Sequence, residues 1–376
     1  MNDRKRKPEK SRPSALHVRE GVTGGHDGLA TGQGAAPRGG NGASRRLLGA
    51  GEYVDGVLAG DRMVLARAIT LVESNAQAHQ ELAQEVLTAL LPHRVEAVRL
   101  GITGVPGAGK STLIETLGTS LTAAGHKVAV TAVDPSSSLS GGSILGDKTR
   151  MEKLAADPGA FIRPSPSGGT LGGVARKTRE TVILFEAAGY DVILVETVGV
   201  GQSEIMVRSM VDFFLLVLIS GAGDELQGIK KGVVEIADAI LINKADGPGL
   251  LAARAAQAEF ERILNYLRPA TEGWRTRSLL SSARTGAGIA ELWQVVGEFM
   301  TITRRSGVHA ERRAQQERQW VRDLVREGLQ TMFRDRPGLA ETMDELEEEV
   351  AMGRLPATVA ARRLLDAFAG GGSGKS

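Results

Sequence analysis

An α/β fold built on a mostly parallel sheet is what this sequence predicts, and three observations predict it. Short β-branched runs, over residues 98–103, 128–134, 161–164, 192–196, 213–220, 239–243 and 277–281, alternate with segments of helical apolar spacing. A glycine-rich turn follows the first run directly, and two later runs end in polar clusters. Alternation of this kind covers a parallel sheet on both faces and gathers the functional loops at the strands' carboxyl ends.

The elements justify themselves in order. Residues 1–48 hold ten Lys/Arg (4, 5, 6, 7, 10, 12, 19, 38, 45 and 46) against four acids (3, 9, 20 and 27) and no apolar period. Such a stretch cannot bury enough apolar surface to offset its ordering entropy, so a disordered basic tail is expected. Over 53–95, Val57, Leu58, Met63, Leu65, Ala68, Ile69 and Leu71, then Leu82, Val86, Leu87, Leu90 and Leu91, recur at helical spacing. That predicts two or three short helices. The strand-bearing domain spans 96–305. A helical arm over 306–368 follows, where Val321, Leu324, Val325, Leu329, Met332 and Phe333 recur every three or four residues. Gly328 is expected to interrupt it. These helices either pack on the core or form an oligomer contact. Residues 369–376 read as a flexible tail; their Gly-Lys-Ser ending has no strand before it and no helix after it.

Composition narrows the function classes. The formal charge is +2, from 46 basic and 44 acidic residues, which gives no general pull toward nucleic acid or membrane. With no cysteine, disulfides, zinc–thiolate sites and thiol catalysis are excluded. Apolar runs such as 213–219 fall short of the roughly 20 residues that a membrane helix needs. A soluble protein is expected, cytoplasmic, or in the mitochondrial matrix if eukaryotic.

Gly104-Val105-Pro106-Gly107-Ala108-Gly109-Lys110-Ser111 matches the phosphate-loop pattern G-x-x-x-x-G-K-[ST] at every fixed position. Glycines let the backbone wrap an anion so that successive N–H groups point inward. Lys110 is placed to reach the β- and γ-phosphates, and the Ser111 hydroxyl to ligate magnesium. The helix that opens near Ser111 and Thr112 adds the positive end of its dipole. A strand before the loop and a helix after it make the match specific, and the fold is therefore a P-loop nucleotide triphosphatase.

The run over 191–196 is a buried strand that ends in Glu196, the magnesium-side acid, followed by Gly199 where a γ-phosphate switch belongs. The run over 239–243 ends in Asn243-Lys244-Ala245-Asp246. A carboxylate accepts two hydrogen bonds side by side, and guanine's N1–H and 2-amino group offer two adjacent donors. Adenine lacks that pair, so Asp246 selects GTP. Asn243 is expected to tie the pocket to the phosphate loop, the Lys244 stem to cover the base, and Ser282 and Ala283 to back the guanine.

Longer runs carry a family resemblance. Ala132-Val133-Asp134-Pro135-Ser136-Ser137, the stretch from Gly141 through Asp147 to Met151, 161–166, Glu196 to Glu204, and Gly221 to Gly232 resemble the MeaB/ArgK/MMAA GTPases. The likeness is close over about 55–305 and loose over the C-terminal helices. It implies a SIMIBI-type G domain with N-terminal helices and a C-terminal helical dimerisation arm. It also implies GTP and GDP as ligands, Mg2+ as cofactor, and Asp134 and Asp147 as switch acids near the metal with Ser111 and Glu196. In the segment 220–232, Asp224, Gln227 and Lys230 match residues positioned for hydrolysis, acting with Lys110 and Glu196. The resemblance further implies a homodimeric chaperone that gates adenosylcobalamin delivery from an adenosyltransferase to methylmalonyl-CoA mutase or a related acyl-CoA mutase. An ATP-dependent protein kinase or transport-linked ATPase is the alternative from another class. A nickel-insertion GTPase is disfavoured, because His17, His26, His79, His93, His126 and His309 are scattered.

Overall fold

The computed structural model describes residues 47–133, 151–164, 171–197, 203–220 and 231–370. Three amphipathic helices come first: α1 (Ala50–Leu58), α2 (Arg62–Glu73) and α3 (Gln77–Leu90). Asp61 caps α2, its carboxylate accepting from the backbone N–H groups of Met63 and Val64. The first strand, β1 (Val98–Gly104), runs into α4 (Lys110–Ala123). Then follow β2 (Val128–Val133), α5 (Glu152–Ala156), β3 (Ala160–Arg163), α6 (Leu171–Ala187), β4 (Val192–Thr197) and α7 (Ser203–Arg208). The sheet is completed by β5 (Phe213–Ile219), α8 (Lys231–Ile236), β6 (Ala239–Asn243), α9 (Leu250–Leu264), β7 (Arg277–Leu280) and α10 (Ile289–Ser306).

The strands form one seven-stranded sheet in the order β3-β2-β4-β1-β5-β6-β7. Every pairing is parallel, with β1 between β4 and β5. The phosphate-loop strand and the acidic strand are thus direct neighbours, Ile102 opposite Glu196. A parallel sheet must be covered twice, and the core accordingly lies in two layers. One face packs against α1 to α3, α6 and α9 through residues such as Val86, Phe185, Phe214 and Phe260. The other packs against α4, α5 and α10 through Leu113, Leu154, Leu292 and Phe299.

The arm continues as α11 (Val308–Arg334), α12 (Leu339–Ala351) and α13 (Ala357–Gly370). The expected interruption at Gly328 does not occur. A single glycine costs a helix interior only about 1 kcal/mol relative to alanine, and the rest of this long helix absorbs it. The first turns of α11 are locked to the amino end of the sheet by buried charge. Arg313 donates to both oxygens of Asp212, at 2.8 and 2.7 Å, and to the Ala97 carbonyl at 2.7 Å. Arg312 bonds Thr271 and the Asp212 carbonyl, and Gln316 donates to the Val211 carbonyl at 2.9 Å. Burial alone would raise the Asp212 carboxyl, but Arg313, His309 and Arg99 outweigh it and hold it far below the usual carboxylate range.

Both sheet edges are partly capped by side chains. Arg62 donates to the carbonyls of Pro158 and Ala160 beside β3, and Gln257 donates to the Ser278 carbonyl on β7 at 2.9 Å. Such caps blunt strand addition at an open edge. No helix among the described residues is long and apolar enough to cross a membrane.

Candidate nucleotide site

The turn from β1 into α4 wraps so tightly that side chains are excluded at two places. Gly104 has φ +150°, and a Cβ there would stand 2.0 Å from the Val217 carbonyl oxygen. Gly109 has φ +86°, and a Cβ there would stand 2.8 Å from Asn243 Nδ2. Both conformations suit glycine alone. Pro106 and Gly107 are exposed at the crest, while Val105 and Ala108 are buried beneath it.

Lys110 opens α4, and its side chain folds back under the turn. Its Nζ donates to the carbonyls of Gly104 at 2.8 Å and Val105 at 3.4 Å. Burial lowers the Lys110 pKa, and the charges of Glu196 and Glu204 partly oppose that shift. One turn position on, the Ser111 hydroxyl donates to Glu196 Oε1 at 3.1 Å. Glu196 reaches it from the carboxyl end of β4, only 5% exposed. Below this pair the hydroxyls of Thr197 and Thr103 bond at 2.8 Å and join β4 to β1 side chain to side chain. Thr112 is exposed on the first turn of α4.

A second cluster assembles at the ends of β6 and β7. Asn243 is 1% exposed and uses both ends of its amide. Its Nδ2 donates to the Ala108 carbonyl at 2.8 Å, while Oδ1 accepts from Ala283 N at 3.0 Å and Ser281 Oγ at 3.2 Å. One buried side chain thereby joins the phosphate loop to the loop after β7. Lys244 is exposed and takes φ +59°, left-handed and strained for a residue with a side chain. That twist carries the chain round so that Asp246, half-buried, bonds the Ser282 hydroxyl. The Asp246 carboxylate is fixed in orientation before any ligand arrives.

The structure thus brings Gly104 through Thr112, Glu196, Asn243, Lys244, Asp246, Ser282 and Ala283 to one end of the sheet. Asp134, Asp147, Gly199, Asp224, Gln227 and Lys230 lie outside the described residues. Glu204, given no role by the sequence, also reaches the site: it is 2% exposed in the first turn of α7 and acts electrostatically on Lys110. Thr116 reaches it too, from the second turn of α4. Glu204 ends one of the runs that carry the family resemblance but is given no role there, and no motif marks Thr116; each acts through a neighbour that is distant in sequence. No group of three or more potential metal-ligating His, Cys, Asp or Glu side chains occurs among the described residues.

The sequence model of the family described as "Methylmalonyl Co-A mutase-associated GTPase MeaB" matches residues 65–337 of this chain. The chain belongs to this family. It is a MeaB-family GTPase, and GTP and GDP are accordingly its nucleotides. A Caulobacter vibrioides relative named as a GTPase is 54% identical over 312 residues, 83% of this chain and 95% of that one. The Mus musculus protein "Methylmalonic aciduria type A homolog, mitochondrial" is 47% identical over 323 residues, 83% of this chain and 78% of that one. Among solved structures, one described as a LAO/AO transport system kinase is 38% identical with a TM-score of 0.70, covering 85% of this chain and 97% of that one. The MeaB-family match begins within α2 and runs through α11, so it includes the whole sheet.

Proposed function

We propose that this MeaB-family GTPase binds GTP with Mg2+ and uses hydrolysis to gate adenosylcobalamin loading onto, and to protect, methylmalonyl-CoA mutase or a related acyl-CoA mutase. The adenosyltransferase that supplies the cofactor is a second partner in this reading. One observation carries the nucleotide half: the Lys110 ammonium already sits inside the phosphate loop, bonded to the backbone carbonyls of Gly104 and Val105. Polyphosphate offers that cation full negative charge where the carbonyls offer dipoles, so the ligand draws Lys110 onto its β- and γ-oxygens. The free backbone N–H groups of the loop and of the first turn of α4 then face the anion.

The donor set fits magnesium. Ser111 Oγ and Glu196 Oε1, 3.1 Å apart, are hard oxygen ligands that match a small divalent cation. Bound there, Mg2+ would neutralise charge between the β- and γ-phosphates. Asp134 and Asp147 complete the proposed metal surroundings. Asp246 reads guanine, Ser282 and Ala283 back it, Asn243 ties base pocket to phosphate loop, and the Lys244 stem covers the ring. Gly199 senses the γ-phosphate, and Asp224, Gln227 and Lys230 act in hydrolysis when the client docks. Phosphoryl transfer needs positioning and charge neutralisation more than covalent chemistry, and a switch held by the γ-phosphate relaxes once it leaves.

The family and relatives' names support the mutase client. A homodimer joined through the helical arm is part of the same reading, supported by the exposed apolar row on α11. One observation favours a second reading, a kinase or transport ATPase: the name carried by the solved relative at 38% identity. It predicts phosphate moving from ATP to a protein, whereas Asp246 predicts GTP as the nucleotide.

The test is calorimetric titration of the chain and its Lys110→Ala variant with GTP and ATP, with and without Mg2+, followed by GTP turnover with added mutase. Tight, Mg2+-dependent GTP binding that vanishes in a folded Lys110→Ala protein is expected, as is turnover accelerated by the mutase. Affinity that survives Lys110→Ala ends the phosphate-loop assignment. A mutase that changes neither turnover nor nucleotide affinity ends the client assignment.

A further inference from the structure

Thr116 stands six residues beyond Lys110 on α4, and its hydroxyl faces two backbone carbonyls. One is that of Thr112 on its own helix, at 2.9 Å; the other is that of Ala283, at 2.7 Å, from the loop after β7. A hydroxyl has a single proton to donate, so these acceptors share it. The bond to Thr112 is the local back-bond that any helical threonine can form. The bond to Ala283 joins two segments 167 positions apart.

The Ala283 residue is consequently gripped at both ends. Its N–H donates to Asn243 Oδ1 at 3.0 Å while its carbonyl accepts from Thr116. Asn243 leads to the phosphate loop through the Ala108 carbonyl, and Thr116 leads to the helix that the loop opens. Ser282, the preceding residue, bonds the Asp246 carboxylate. A purine nucleotide spans both places at once. Its base is read well only if the reading carboxylate stands at a fixed offset from the phosphate loop.

We infer that Thr116 is a positioning residue for purine selection, its hydroxyl fixing the 282–283 loop, and through Ser282 the Asp246 carboxylate, against the phosphate-loop helix. This rests on the proposed reading of Asp246, Ser282 and Ala283 as the guanine pocket. Thr116 touches neither phosphate nor metal in that scheme. Its removal therefore separates base recognition from phosphate binding.

The experiment compares the full chain with Thr116→Val, which keeps the shape and loses the hydroxyl, and Thr116→Ser, which keeps the hydroxyl. Affinities for GTP, ATP and inorganic tripolyphosphate are measured calorimetrically in the presence of Mg2+. Thr116→Val should weaken GTP about tenfold, the effect of one lost hydrogen bond, and shrink the GTP-over-ATP preference by a similar factor. Tripolyphosphate should bind as before, and Thr116→Ser should restore the preference. An undiminished preference in Thr116→Val, or an equal loss of GTP and tripolyphosphate, overturns the inference while the guanine pocket stands. Equal affinity of the unaltered chain for GTP and ATP overturns the pocket reading and this inference together.

Discussion

Asp246 illustrates how much a single side chain can decide once its surroundings are fixed. Its carboxylate is held by the Ser282 hydroxyl and delivered by the left-handed turn at Lys244. In the proposed pocket two acceptor oxygens would match two donors on guanine, and an amide in their place offers one acceptor and one donor. Asp246→Asn should therefore shift preference from GTP toward xanthosine triphosphate, whose ring carries a carbonyl where guanine has its amino group. Competition binding checks this, and an unchanged order of affinities removes Asp246 from the pocket. At this scale the motif residues were readable because their chemistry is local: a lysine after two glycines, an aspartate three residues past an asparagine. Thr116 and Glu204 were not readable, because what they touch is set by how α4 and α7 pack against the sheet.

At the scale of elements, α6 carries a partly buried acid, Glu180, that works against stability. Burial pushes the Glu180 carboxyl up to about 7 from an ordinary 4.5, and the Arg176 and Lys177 charges only partly counter it. In the unfolded chain the same group ionises at its ordinary value, so the folded protein binds more protons between the two values. Stability on this account is highest below about 4.5, falls as pH rises, and levels off above about 7. Glu180→Gln should raise the melting temperature at pH 8, with the gain fading as pH drops toward 4.5; the full shift corresponds to at most about 3 kcal/mol. A gain that does not vary with pH would show that another effect is responsible. Nothing in the sequence flags Glu180, since in projection it looks like any polar residue of a helix. The helix α11 gives the opposite lesson. Its apolar spacing was plain in the sequence, yet the expected break at Gly328 is absent, because one glycine is a small cost to a helix of 27 residues.

For the whole molecule, the arm poses the question of what covers it. Val321, Val325, Leu329 and Met332 lie along α11 at spacings of four, four and three, each more than half exposed. Leu329 also lines an apolar groove between α11, α12 and α13, together with Phe333, Met343, Leu365 and Phe368. An exposed row of this length marks an interaction surface, in accord with the proposed homodimer. Leu329→Glu should convert the proposed dimer to monomer in sedimentation velocity while tight GTP binding persists. A natural chain that sediments as a monomer at micromolar concentration, or a Leu329→Glu chain that stays dimeric, would overturn the assignment.

What the sequence by itself determined is the part governed by short-range rules. Strand starts at 98, 192, 239 and 277 follow from where the strand-forming runs begin, and the observed strands start at those positions. The phosphate loop follows from glycine and lysine at fixed spacing. Only the tertiary structure decided the strand order that sets Glu196 beside Ser111, the Asn243 bridge from the phosphate loop to the loop after β7, and the charged lock of Arg312 and Arg313 on Asp212. Each of these joins residues tens to more than a hundred positions apart. Periodicity and spacing carry no information about such pairs, because they come together only when a sheet packed on both faces fixes which loops share an end.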